Sequence, residues 1–147
     1  MILAAGRGTR LGKLTKTTHK SLIEINGRSI IERTLDNLPR CVDQGLLVVG
    51  YLGHILRNHL GDEHNGVPLF YVEQKQILGT ADALWQAKQL LKKGKFAVLN
   101  GDDLYNRAEL ENLFKINMAV GLTVRRPPSA GYIIFELDKD NNIAGWH

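Results

Sequence analysis

Apolar positions along the chain fall into two alternating rhythms. Short apolar runs at Ile2-Leu3-Ala4, residues 46–51, residues 69–72 and residues 96–99 read as strands, the run 46–51 as one covered on both faces. Between them the spacing turns helical. Ile30, Ile31, Thr34, Leu35 and Leu38 predict an amphipathic helix over 29–38. Residues 54–60 predict a short helix that Gly61 ends, residues 80–91 a helix that Gly94 stops, and residues 108–118 another. Trp85, among apolar neighbours in the third of these, is expected in the core. Residues 120–124 and 132–137 read as strands, and Asp140-Asn141-Asn142 as the hairpin turn between Leu137 and Ile143.

Strand alternating with helix is the pattern of an α/β domain, with a mostly parallel sheet and helices on both faces. No repeat or linker divides the chain, so residues 1–147 are expected to form one domain. Ligands of such sheets sit at the carboxyl ends of strands, near the point where strand order reverses. Three polar segments follow strand ends: the loop 6–10, Glu73-Gln74, and Asn100-Gly101-Asp102. They are expected to converge on one crevice.

Composition narrows the function. The 147 residues are 44% hydrophobic and 23% charged, ordinary for a globular protein. A net charge of +4 suits a protein that handles phosphorylated anions. The cations are scattered and their densest clusters, Lys92-Lys93-Gly94-Lys95 and Arg125-Arg126, are short, so no nucleic-acid partner is expected. No apolar stretch approaches a membrane span, and the run 1–5 is too short for a signal peptide's core. Cys41 is the single cysteine, which suits a reducing compartment; the expected location is the cytoplasm. No metal-ligand spacing links His54, His59 or His64 to it, and no catalytic thiol is expected.

The densest chemistry lies in Leu3-Ala4-Ala5-Gly6-Arg7-Gly8-Thr9-Arg10-Leu11, with Thr15 and Lys20 beyond. Small residues let the backbone approach an anion, and free N–H groups can point at its oxygens. Arg10 and Lys20 supply positive charge for a polyphosphate. Two other glycine loops are excluded. Gly12-Lys13 precedes Leu14, so no P-loop forms, and the third position of a dinucleotide fingerprint is Leu11. Asp102, just past a buried strand, is placed to hold a divalent metal against phosphates; Asp103 beside it binds through water or shapes the loop. Gln74 offers a donor and an acceptor to a base edge, Gly79 permits close backbone approach, and Thr80 opens a helix with exposed N–H groups.

The opening segment resembles the signature L-A-A-G-x-G-T-R-L, Thr, Pro-Lys of the sugar-phosphate nucleotidyltransferases. Residues 74–83 resemble that family's Q-x-x-x-L-G-T-A-x-A element, and Gly101-Asp102 its Gly-Asp pair. The resemblance covers residues 2 to about 145 and implies a Rossmann-like three-layer sandwich of the nucleotide-diphospho-sugar transferase type. It implies catalytic roles for Arg10 and Lys20 on the phosphates. Leu3, Ala4, Ala5, Gly6, Gly8, Thr9, Gln74, Gly79 and Thr80 would bind the nucleotide, and Asp102 would bind Mg2+. Lys13 and Lys16 read as a solvated loop. His19 stands where the family usually has proline, and is expected to loosen the loop and shift Lys20 rather than to act in catalysis.

The implied reaction joins a nucleoside triphosphate to a sugar 1-phosphate and releases pyrophosphate, with Mg2+ bridging the phosphates. Transfer to phosphocholine or another alcohol phosphate by a cytidylyltransferase is the alternative enzyme. The family's Glu-Lys-Pro element, whose lysine holds the sugar phosphate, does not occur after residues 132–145. The chain therefore reads as the nucleotide-binding half with the start of the sugar-binding half, and a nucleotide-binding module without turnover is the third reading. The strand edge left by residues 120–134 then needs a partner, with a second copy of the chain as candidate.

Overall fold

The structure, a computed structural model, describes residues 1–91, 95–116, 135–140 and 143–146. Strand β1 (Ile2–Ala4) leads through two short 3₁₀ segments, Thr9–Thr15 and Lys20–Leu22, into the hairpin β2 (Glu24–Ile25) and β3 (Arg28–Ser29). There follow α1 (Ile30–Asp36), β4 (Gly45–Val49), α2 (Gly53–Leu60), β5 (Glu63–His64) and β6 (Val67–Glu73). Helix α3 (Thr80–Ala87), β7 (Leu99–Asn100) and α4 (Arg107–Lys115) complete a compact unit, Met1–Asn117. A second unit, Met118–His147, contains β8 (Phe135–Leu137) and β9 (Ile143–Trp146). These pair antiparallel with Phe135 opposite Trp146, as a hairpin about residues 140–142 requires; 141 and 142 themselves lie outside the described residues. So do the strand expected at 120–124, residues 132–134, and Gly94.

The main sheet has the order β5-β6-β4-β1-β7, with β6, β4, β1 and β7 parallel and β5 antiparallel at one edge. The chain steps outward from β1 to β4 to β6, then crosses back to β7 on the other side of β1. The reversal at β1 creates the crevice where such sheets take ligands.

Strand β4 is buried along its whole length, which explains its unbroken apolar sequence. Its alternate residues serve two cores. Leu47 and Val49 join Ile2, Ala4, Ile31, Leu35, Leu56, Leu60 and Leu110, so α1, α2 and α4 cover one face. Leu46 and Val48 meet Ala83 and Ala87, so α3 covers the other. The result is the α/β three-layer arrangement that the sequence pattern implied.

Local chemistry sets the helix ends. Ser29 and Glu32 form a capping box at α1: the Ser29 hydroxyl accepts from the Glu32 N–H at 3.3 Å, and Glu32 Oε2 accepts from the Ser29 N–H at 3.0 Å. Hydrogen bonding from the Ser29 side chain holds the Glu32 carboxyl below the usual carboxylate range. Helix α3 is shorter than the expected 80–91, and Trp85 is not core. Ala83 and Ala87 face the sheet, while Trp85 is 66% exposed with the Lys88 ammonium 4.2 Å over its ring. Strand β7 is also shorter than expected: it pairs with β1 only through Leu99 and Asn100, and Phe96 and Val98 are exposed. Among the described residues, no helix is long and apolar enough to cross a membrane.

Candidate functional site

The carboxyl end of β1 runs into the glycine turn with its own carbonyls already used. Leu3 O accepts from the Gly101 N–H at 2.8 Å, Ala4 O from His19 Nε2 at 2.8 Å, and Ala5 O from the Tyr51 N–H at 3.4 Å. The N–H groups of Gly6, Arg7, Gly8 and Thr9 have no acceptor among the described residues. What the turn offers is therefore space and free donors, the composition of an anion-binding nest. Gly8 is required twice over. Its φ is +63°, and a Cβ there would lie 3.0 Å from Thr15 Cγ2 and 3.1 Å from Lys20 Cβ. Buried Thr15 clasps the turn by donating to Gly8 O at 3.1 Å.

Lys20 lies directly against this turn; a Cβ on Gly6 would sit 3.3 Å from its Nζ. The ammonium pairs with Asp102 Oδ2 at 2.7 Å, across the gap between the β1 and β7 ends. Side-chain exposures of 15% for Lys20 and 44% for Asp102 leave the carboxylate open to solvent. His19 holds the pair's backbone. It is 1% exposed, and its Nδ1 accepts the Ser21 N–H at 3.2 Å. Nε2 therefore carries the proton and donates to Ala4 O. Where the resembled signature has proline, these two bonds tie His19 to the end of β1 and to the turn that carries Lys20. Burial pushes the imidazole pKa down; the Ala4 hydrogen bond opposes that, Lys20 adds to it, and Asp102 opposes it.

The remainder of the β7 loop is self-contained. Asp103 Oδ2 accepts from Asn100 Nδ2 at 2.9 Å, and Asp103 O accepts from Thr34 Oγ1 at 3.3 Å, so Asp103 shapes the loop. The Asn100 N–H donates to the Tyr105 hydroxyl at 2.8 Å, and burial pushes that phenol up to about 12. Among the described residues no group of three His, Cys, Asp or Glu side chains could enclose a metal. A single open carboxylate nevertheless fits Mg2+, which takes one or two carboxylates and draws its other ligands from phosphates and water.

On the other side of β1, a cavity of about 620 Å³ opens beyond the ends of β4 and β6, lined by Arg7, Tyr51, Gln74 and Lys75 among others. The Arg7 guanidinium lies 5.7 Å over the Tyr51 ring. Gln74 is 4% exposed, and its amide donates to Gly79 O at 3.1 Å and to Asp82 Oδ2 at 2.7 Å. Gly79, with φ 98° and ψ −176°, is the N-cap of α3, and no side chain caps the first N–H groups of the helix.

Comparison with known proteins fits this geometry. Residues 1–139 match the nucleotidyl transferase family. The chain belongs to that family. Bifunctional protein GlmU of Methanococcus maripaludis is 35% identical over 144 residues, covering 97% of this chain and 33% of GlmU. The UTP–glucose-1-phosphate uridylyltransferase AglF of Haloferax volcanii is 36% identical over 110 residues, covering 72% of this chain and 44% of AglF. The solved inositol-1-phosphate CTP transferase of T. maritima aligns with a TM-score of 0.62 at 29% identity, over 76% of this chain and 46% of that one. The chain thus spans a third to a half of the length of these members of the nucleotidyl transferase family.

Against that family's pattern, Leu3, Ala4, Ala5, Gly6 and Gly8 lie at the β1 end with Lys20 and Asp102, and Gln74, Gly79 and the start of α3 line up beyond β6. Thr9 and Arg10 are exposed, and Arg10 has no side-chain partner among the described residues. Asp82, at an unspecified position of the Gln-to-Ala element, was not singled out by sequence; Tyr51, which with Gly50 resembles a family segment and reads as structural, has its hydroxyl donating to Lys16 O at 3.2 Å.

Proposed function

We propose that this chain is the nucleotide-binding part of an enzyme that joins a nucleoside triphosphate and a sugar 1-phosphate into a nucleotide sugar. A phosphate oxygen of the sugar attacks the α-phosphorus, the bond from the α-phosphorus to the bridging oxygen breaks, and pyrophosphate leaves. The attacking group belongs to the substrate, so the protein's task is positioning and charge neutralisation. Free N–H groups of residues 6–9 would hold phosphate oxygens, and Arg10 and Lys20 would offset the charge that builds up on them. Gln74 and the Gly79-Thr80 backbone would hold the base. Asp102 would hold Mg2+, which when bound neutralises phosphate charge and favours departure of pyrophosphate.

The observation that carries this reading is the Lys20–Asp102 pair beside an unpartnered N–H nest at the strand-order reversal. A cation and a carboxylate at 2.7 Å satisfy each other without ligand, and a metal-bound polyphosphate offers both a better partner. Support for the sugar phosphate comes from the Gly79-Thr80-Ala81 element and the likeness to AglF. The likeness to the T. maritima CTP transferase supports a second acceptor class, an alcohol phosphate. The single cysteine, Cys41, supports a cytoplasmic site of action.

The test is thermal melting with ATP, CTP, GTP, UTP and dTTP, with and without Mg2+. A ligand of the folded state at a hundred times its Kd stabilises by about 2.7 kcal/mol, a rise on the order of 5–10 °C. The expected result is a magnesium-dependent rise with one nucleotide, whose magnesium-dependent part disappears in Asp102→Asn. The same magnesium dependence in that variant would overturn the metal assignment, and no rise with any nucleotide would overturn the nucleotide site.

A further inference from the structure

Gln74 is locked in one orientation. Its backbone N–H donates to Val49 O at 2.7 Å, which fixes the residue at the carboxyl end of β6. Its side-chain amide gives one hydrogen to Gly79 O at 3.1 Å and the other to Asp82 Oδ2 at 2.7 Å. A carbonyl and a carboxylate can only accept. Turning the amide over would set Oε1 against two oxygens, so the neighbours alone decide which end is which. Asp82 is itself held, because Oδ1 accepts from Gln86 Nε2 at 3.2 Å one turn along α3. Gln74 Oε1 has no partner among the described residues and is not among the sealed, unpartnered polar atoms, so it remains open to a ligand.

A free glutamine amide suits many base edges, since half a turn exchanges donor for acceptor. Gln74 has lost that choice and presents an acceptor alone. Uracil and cytosine have the same ring shape with donor and acceptor exchanged at positions three and four, and guanine and adenine differ likewise along the same edge. We infer that Asp82 is a specificity-determining positioning residue: by holding the Gln74 amide it fixes an acceptor at the base pocket, and with the uncapped N–H groups at the start of α3 as donors the fixed donor–acceptor order separates keto from amino bases. This rests on the nucleotide reading above. It adds that discrimination resides in a carboxylate that need not touch the nucleotide. A site built around one fixed hydrogen bond rejects a ligand that cannot complete it far better than shape alone does.

Calorimetric titration of the full chain with UTP against CTP, and with GTP against ATP, tests the inference. The parent protein is expected to prefer one member of the pair it binds by about tenfold or more, the worth of one good hydrogen bond. Asp82→Asn keeps a carbonyl oxygen for Gln74 and should keep the preference. Asp82→Ala leaves Gly79 O as the amide's only remaining acceptor, so turning the amide over costs one bond instead of two; the preference should fall, mainly by a gain in the disfavoured base. A preference unmoved in Asp82→Ala, including equal weakening of both bases from a damaged helix start, would overturn the inference. So would a parent protein with no preference within either pair. Binding of no triphosphate at all is a different failure, that of the nucleotide site itself. Exchange of the Gln74 side-chain amide protons, followed by NMR without nucleotide, tests the lock directly. Slow exchange in the parent and fast exchange in Asp82→Ala is expected; equally slow exchange in both would overturn the lock.

Discussion

His19 stands where the signature that the opening resembles has proline, and it holds the turn by hydrogen bonding. Its φ of −62° is the value proline imposes, and its imidazole then ties Ala4 O to the Ser21 N–H around Lys20. His19→Pro should therefore keep the backbone path but strand the Ala4 carbonyl. We expect a loss of about 1–3 kcal/mol in urea denaturation at neutral pH; a variant as stable as the parent would show that the two bonds contribute nothing. The pH dependence has a definite sign. Burial lowers the folded imidazole below its ordinary 6.5, so as pH falls the unfolded chain binds the proton first. Stability is full above about pH 6.5 and declines as pH falls towards the lowered folded value. His19→Gln should remove that part of the acid sensitivity in melting curves, and an unchanged pH profile would show that His19 is not its source. The sequence made the departure from proline visible but not its meaning, because the compensating partners, Ala4 O and Ser21 N–H, belong to the fold.

At the level of elements, the site depends on how closely three strand ends approach one another. Gly50 after β4 and Gly101 after β7 flank the end of β1, and a Cβ on either would lie 2.9 Å from a β1-end carbonyl, Ala5 O and Leu3 O respectively. Backbone atoms cannot swing aside as a flexible side chain can. Gly101→Ala also meets Ser21 Oγ at 3.1 Å and Ala4 Cβ at 3.2 Å, so β7 must move away from β1 and carry Asp102 from Lys20. We expect a destabilisation of about 1–3 kcal/mol together with a reduced magnesium-dependent nucleotide shift. A normal shift in a destabilised protein would mean that Asp102 holds its place independently of the strand. Elements were legible where their environment was uniform. The apolar run of β4 is unbroken because both its faces are covered. Trp85 misled because Ala83 and Ala87 are the residues that meet the sheet, and a residue two positions from Ala83 is turned about 200° away. Strand β7 was overextended because exposed Phe96 and Val98 mimic a buried run.

For the whole molecule, the candidate site and the second unit separate along the chain. Every candidate residue from Leu3 to Asp102, both cores and the strand-order reversal lie within the compact unit Met1–Asn117. The candidate motifs were legible because each is a short segment at a strand end, which preserves its local spacing whatever surrounds it. A pocket for the proposed acceptor was not: the chain spans only a third to a half of its compared relatives, and the Glu-Lys-Pro element that the resemblance implies does not occur in it. Residues 1–117 expressed alone should therefore melt cooperatively and bind the preferred triphosphate within about threefold of the full chain's affinity, a difference under 1 kcal/mol. They should release no pyrophosphate when glucose 1-phosphate is added. Pyrophosphate release by this unit would show that nest, Lys20 and Asp102 suffice for transfer and that the acceptor needs no dedicated lysine. Loss of nucleotide binding on removal of residues 118–147 would show instead that the second unit contributes to the nucleotide site.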